Sequence, residues 1–149
     1  MTAEGNAYPL ISAVVPAYNA ETLIATSLQA IIAQDYPNLE IIVVNDASTD
    51  GTEAAARRVL ANCGRHISVI THEKNRGETA SRNTGMDAMH GEFVWFLDAD
   101  DKAEKNLVSA LYAMIEKYQC DLSFCGYRNT YEDGSPDELH PVKLKGDTI

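Results

Sequence analysis

The chain of 149 residues contains no run of lysine and arginine, no Cys-x-x-Cys pair, and neither the GxxxxGK nor the GxGxxG phosphate loop. Its 12 basic residues stand against 22 acidic ones, for a formal net charge of −10 at pH 7. Phosphate-backbone binding needs a basic face, so nucleic acid is excluded as a partner. A small phosphorylated ligand stays compatible with this charge if backbone amides, a few chosen arginines or a metal ion hold it. Cys63, Cys120 and Cys125 are an odd set without ligand spacing, and they read as buried free thiols in a reducing compartment. The opening MTAEGNAY lacks the basic segment of a signal peptide, and no apolar run reaches the roughly 18 residues of a membrane span. The chain reads as cytoplasmic, with peripheral attachment to the cytosolic membrane face left open.

What is present is an ordinary globular composition, 45% apolar and 23% charged. Short apolar runs alternate with amphipathic stretches. LISAVVP (10–16) predicts a buried strand that Pro16 ends. NAETLIATSLQAIIAQ (19–34) predicts a helix with Asn19 as N-cap and Leu23, Ile24, Leu28, Ile31 and Ile32 on its apolar face. LEIIVVN (39–45) suits a strand covered on both faces, followed by a helix from Asp50 or Thr52 with Asp50 and Glu53 as a capping pair. HISVITH (66–72) is the third strand. A helix over 78–89 closes at Gly91 as a C-terminal glycine. EFVWFL (92–97) is the fourth strand, with Trp95 in the core; 105–118 is a helix and DLSFCGY (121–127) a fifth strand. Asp133-Gly134 followed by Ser135-Pro136 marks a turn, as in a hairpin. Parallel strands need crossovers and helices supply them, so the expected fold class is α/β, an open, mostly parallel sheet with helices on both faces.

In such a sheet, ligands gather at the carboxyl ends of the strands. Four polar clusters follow the four apolar runs: PAYNAE, NDASTDG, HEKNRGE and DADD. Asp98 and Asp100 are hard oxygen ligands two positions apart, suited to Mg²⁺ or Mn²⁺ on a diphosphate; helix capping explains one such aspartate but hardly three. NDASTDG resembles a calcium loop until position twelve, where Arg57 stands in place of the bidentate glutamate. Asp46 suits a base or ribose, or else a turn and helix cap. Tyr18 suits a base, or packing at a strand end. Arg82, and less so Arg76, suits phosphate or sugar. His66, His72, His90 and His140 show no ligand spacing and receive no site.

Taken in order, VVPAYNAE, LEIIVVNDASTDGT, NRGETASRNTGMDAMHGEFVWFLDADD and DLSFCGYRNTYEDG resemble the family 2 glycosyltransferases of GT-A, Rossmann-like fold, over residues 10–134. The resemblance implies a metal-dependent, inverting transferase that uses a nucleoside-diphosphate sugar, UDP-sugar foremost, in polysaccharide biosynthesis. Its acceptor is a saccharide or a lipid-linked acceptor. Matched position by position, Pro16, Ala17, Tyr18 and Glu21 fall in the first nucleotide-binding loop, and Asp46 matches the acid that reads the base. Asp98 and Asp100 form the D-x-D motif, Asp98 toward the ribose and Asp100 on the Mg²⁺ or Mn²⁺. NDAS departs from the common DDGS, with Asn45 for the first acid and Ala47 for the glycine. The implied organisation is a tail at 1–9, a donor-binding domain at 10–126, and at 127–149 the start of an incomplete acceptor-side region. No general base is found after Gly134, so this chain alone would bind donor without turning it over, and a non-catalytic nucleotide-binding module is the alternative. A haloacid-dehalogenase phosphatase fits poorly, since Lys102 stands where that motif has Thr or Val.

Overall fold

The computed structural model describes residues 8–131 and 133–142; residues 1–7 of the expected tail and the final positions 143–149 lie outside the described residues. The chain forms two compact units, divided between Ser109 and Ala110. In the first, β1 (Ile11–Ala17), β2 (Leu39–Asn45), β3 (Ile67–Thr71) and β4 (Phe93–Phe96) make one sheet of order β3-β2-β1-β4. All three pairings are parallel. Helices α1 (Ile24–Ile32), α2 (Thr52–Leu60) and α3 (Glu78–Ala88) are the crossovers, and α4 (Leu107–Tyr118) follows β4.

Every residue of β1 and β2 is buried, the polar Ser12, Glu40 and Asn45 included, as in strands covered on both faces. Val14, Ile42 and Val44 point to one face and form the core with Ile70, Met89, Val94 and Phe96 around them. Helix α3 lies over β1 and β2 there, and α1 and α2 pack on each other. Ala13, Val15, Ile41 and Val43, fully buried on the opposite face, complete the two-sided core.

Several boundaries differ from the sequence expectation for identifiable reasons. Pro16 does not end β1. Val14 C=O accepts from Leu97 N–H at 3.2 Å, so two residues later Pro16 turns its nitrogen to the side where β4 has already stopped, and no ladder bond is lost. Asn19 is not a helix cap: its φ is +48°, α1 starts at Ile24, and Leu23 is 48% exposed. Glu53 does not close a capping box; it accepts from Arg57 at 2.8 Å and Thr71 at 2.8 Å, while Asp50 alone receives the Thr52 N–H. Gly91 is not a C-cap either. The helix ends at Ala88, and a Cβ on Gly91 would lie 2.6 Å from Ser12 Oγ, so close approach to β1 requires the glycine.

DLSFCGY is not a fifth strand of the sheet. In the second unit, only Tyr127 of that run is extended, in β5 (Tyr127–Asn129), which pairs antiparallel with β6 (Glu138–His140) around the expected turn at Gly134 (φ +84°). Tyr127 stacks on His140 with ring centroids 4.5 Å apart. The cysteines are free but not buried as a set: Cys63 and Cys120 are half-buried and Cys125 is exposed.

Gly85 presses α3 onto the sheet, where an added Cβ would sit 2.3 Å from Val14 Cγ1. Gly85→Ala is therefore expected to lower stability by about 1–3 kcal/mol despite alanine's better helix propensity, read as the shift in urea midpoint. An unchanged or raised midpoint would show that α3 does not pack as closely as described.

Candidate functional site

The strand order runs outward from β1 to β3 on one side and reverses to β4 on the other. A reversal of this kind splits the loops that leave the carboxyl ends of the two strands and opens a crevice between them. A cleft of about 460 Å³ lies there. Pro16, Ala17, Tyr18 and Asn19 line it from the end of β1, Asp46 from β2, Gly77, Glu78 and Ser81 from the start of α3, and Asp98 and Asp100 from the end of β4. The structure thus brings together Pro16, Ala17, Tyr18, Asp46, Asp98 and Asp100. Tyr18 is 51% exposed, at the rim.

Asp46 is only 3% exposed, and its carboxylate is fully engaged. Oδ1 accepts from Arg76 N–H at 2.8 Å and lies 2.7 Å from His72 Nδ1; Oδ2 accepts from Gly77 N–H at 2.7 Å. Burial pushes this carboxyl up, but His72 and the two backbone donors outweigh it, and the net shift is downward. Gly77 has φ +87°, a conformation that glycine adopts without strain. His72 Nε2 lies 2.9 Å from Thr84 Oγ1, so a chain of contacts runs from Asp46 through a buried histidine to α3. Spacing gave His72 no site, yet the register does. Asn45 pairs with Thr71, so Asp46 and His72 are the next neighbours.

The loop at 98–101 is held from beneath. Ser27 of α1, fully buried, has its Oγ 2.7 Å from the carbonyl oxygens of both Ala99 and Asp101, which share its one proton. A hydroxyl within the apolar stripe of Ile24, Leu28 and Ile31 was the sequence signal for this contact. Arg82 reaches Asp98 Oδ1 and Glu78 Oε1, each at 2.7 Å, and lies 5.6 Å from the Phe96 ring centroid. It therefore meets the cleft through Asp98. Asp100 is exposed and makes no hydrogen bond or ion pair among the described residues. Burial first, then the charges of Asp100 and Asp98, raise the Asp101 carboxyl above its ordinary range. That repulsion is what a bound cation would relieve, and two aspartates at an open cleft are hard oxygen donors of the type that Mg²⁺ and Mn²⁺ accept. The residues present fit such an ion.

Glu21 does not line the cleft. Its Oε2 accepts from Gly51 N–H at 3.0 Å, at the positive end of α2, while its own N–H donates to Asp50 Oδ2 at 3.1 Å. Asn19 Oδ1 accepts from Thr49 N–H at 2.8 Å, clasping the β1 loop to the β2 loop. Asn45 Oδ1 accepts from Ser48 N–H at 3.2 Å, and the intervening Ala47 has φ +58°. Alanine is disfavoured there, which explains why a glycine suits this position.

With this geometry in hand, the comparisons have a physical setting. An open parallel sheet with an acidic cleft at its switch point is an α/β domain with a candidate ligand site at the carboxyl ends of its strands. Residues 12–147 match the family model described as Glycosyl transferase family 2, and the chain belongs to that family. It is 40% identical over 117 residues to glycosyltransferase GlyA of Streptococcus pneumoniae, covering 78% of this chain and 16% of that protein. It is 34% identical over 143 residues to the amylovoran biosynthesis glycosyltransferase AmsB of Erwinia amylovora, covering 91% of this chain and 47% of that one. This chain thus spans less than half the length of either relative. Among solved structures, Staphylococcus aureus TarS 1–349 in complex with UDP matches with a TM-score of 0.69 and 33% identity, over 74% of this chain and 33% of that one. The mannosyltransferase PcManGT of Pyrobaculum calidifontis, in complex with GDP-Man and Mn²⁺, matches with a TM-score of 0.67 and 32% identity, over 80% of this chain and 34% of that one. These neighbours bear out the expected GT-A class.

Ala47→Gly should stabilise the protein by about 0.5–1 kcal/mol by removing left-handed strain, and a lowered melting temperature would contradict it. The acid limb of stability follows from Glu40 and Asp46, whose carboxyls are both held below their ordinary values of 4.5 and 3.8. A lowered folded value adds stability that is complete above the ordinary value and is lost as pH falls through the folded one. Urea midpoints should therefore hold down to about pH 4.5 and fall below it. Asp46→Asn should lose about 1–3 kcal/mol at neutral pH and flatten that limb, because an amide cannot accept from all three donors.

Proposed function

We propose that this chain is the donor-binding part of a glycosyltransferase, taking a nucleoside-diphosphate sugar, UDP-sugar foremost, with a divalent ion, in an inverting transfer to an acceptor hydroxyl. The observation that carries this reading is the acidic cleft at the β1/β4 switch point. Asp46, Glu78, Asp98 and Asp100 line it without a lysine or arginine among the lining residues, so a diphosphate needs a cation to enter. Asp98 and Asp100 would hold Mg²⁺ or Mn²⁺, which when bound neutralises the diphosphate and stabilises its departure as a Lewis acid.

The remaining roles belong to the protein. Tyr18, at the rim, offers an aromatic face to the base, and Pro16 and Ala17 form the wall beside it. Asp46 shapes the pocket by ordering the Arg76–Gly77 turn, and so acts on the base through position more than through a spare oxygen. Arg82 holds Asp98 in place, and the N-terminus of α3 adds a positive dipole on the phosphate side. Glu21 supports the loop through Gly51. The ligands of the structural neighbours, UDP in one and GDP-Man with Mn²⁺ in the other, support a nucleotide-sugar donor. A saccharide or lipid-linked acceptor, at the cytoplasmic face of a membrane, fits the relatives' biosynthetic name; no helix among the described residues is long and apolar enough to cross one.

A thermal-shift panel of UDP, GDP, CDP and dTDP with and without Mn²⁺ tests this reading. At a hundredfold excess over Kd, the preferred nucleotide should raise the melting temperature by roughly 5–10 °C only with Mn²⁺, and Asp100→Ala should abolish the metal-dependent part. A folded sample with no shift for any nucleotide in Mn²⁺ overturns the proposal.

A further inference from the structure

The opposite edge of the sheet carries a second group of polar side chains that the donor cleft does not use. Register places it: Ser12 pairs with Glu40, and Ile41 pairs with Ile67, so His66 lies beside Glu40 at the amino ends of β2 and β3. His90, in the turn before β4, completes the group. Glu40 Oε1 accepts from Ser12 Oγ at 2.5 Å and from His90 N–H at 2.7 Å. Oε2 lies 3.2 Å from His66 Nδ1 and 3.1 Å from His90 Nδ1. The two rings meet edge to face with centroids 5.8 Å apart.

Three features distinguish this group from an ordinary surface ion pair. The Glu40 side chain is 2% exposed and pairs with no lysine or arginine among the described residues, whereas the imidazoles are 67% and 66% exposed. A buried carboxylate is therefore left with only two titratable partners, and buried charge demands compensation. One oxygen is oriented by two protein donors, the arrangement that fixes a ligating carboxylate, and the other is turned to both Nδ1 atoms. Finally, the three candidate ligand atoms lie within 4.8 Å of one another. A tetrahedral ion with bonds of about 2.0–2.2 Å sets its ligand atoms about 3.3–3.5 Å apart, close to the two imidazole–carboxylate separations present. The third pair, between the two imidazoles, lies within 4.8 Å, and both rings are exposed.

We propose that Glu40, His66 and His90 form a binding site for a borderline transition-metal cation, Zn²⁺ foremost, at the amino edge of the sheet. The ion takes the two Nδ1 lone pairs and Oε2, with water in the fourth position. Two imidazoles and one carboxylate favour Zn²⁺ over Mg²⁺ or Ca²⁺, which prefer all-oxygen shells. The ion ties the starts of β2, β3 and β4 together and is a structural clamp. It is independent of the donor cleft at the carboxyl edge.

The test is a Zn²⁺ titration of EDTA-stripped protein at pH 7.5 in excess Mg²⁺, which occupies hard-oxygen sites, for wild type, His66→Ala and His90→Ala. Both histidines are mostly exposed, so the variants should fold; their metal-free melting curves and nucleotide response with Mn²⁺ check this. Zn²⁺ is expected to raise the wild-type melting temperature by several degrees, and each variant should bind it at least tenfold more weakly. Co²⁺ should give tetrahedral visible absorption in the wild type and in neither variant. No Zn²⁺ shift in wild type, or an equal shift in the variants, overturns the site, and neither result bears on nucleotide binding.

Discussion

β1 has two hydrogen-bonding partners of unequal length, and the cleft depends on that inequality. β2 accompanies it from Ile11 to Ala17, whereas β4 leaves it after Val14. Val15, Pro16 and Ala17 consequently project past β4 with one edge bare, and the chain leaving β4 turns away at Asp98. The aspartates and the PAYN segment are brought face to face by this early departure, 80 residues apart in sequence though they are. Ser27 then sets the height of the aspartate loop by holding two of its carbonyls, and Asp46 sets the opposite wall by gathering the Arg76–Gly77 turn.

Much of this was legible in the sequence. A largely apolar run announced β1 and the Ile/Val stretch after Glu40 announced β2, because burial on both faces removes the need for alternation. The clusters after each run announced the edge, since a parallel sheet places all its carboxyl ends together. What stayed hidden depends on pairing between distant segments. Glu21 accepts from Gly51 N–H at the start of α2 and is not among the residues lining the cleft. Asn19 looked like a cap and instead clasps a neighbouring loop. His72, His66 and His90 have no telling spacing, and only the lateral register of the strands sets them beside Asp46 and Glu40. DLSFCGY failed for another reason: its apolar composition suits a strand, but Leu122 and Phe124 are 74% and 63% exposed, and no sheet partner receives them among the described residues.

The two edges of the sheet carry opposite electrostatic solutions. At the carboxyl edge Asp101 holds its proton more tightly, through desolvation first and then the nearby charges of Asp100 and Asp98. At the amino edge a single buried carboxylate gathers hydroxyl, amide and imidazole donors, and its proton is held less tightly despite burial. The first arrangement spreads negative charge over several exposed groups; the second concentrates it on one buried group faced by two imidazoles.

Pro16 carries a consequence for the molecule's behaviour in company. The bare edge of β1 beyond Val14 is the kind of surface on which a stray strand from another molecule can dock by backbone pairing. A proline there offers no N–H to such an intruder, which weakens backbone pairing along that edge without filling the cleft. The residue that forms part of one wall of the cleft is thus also one that disfavours strand docking between molecules.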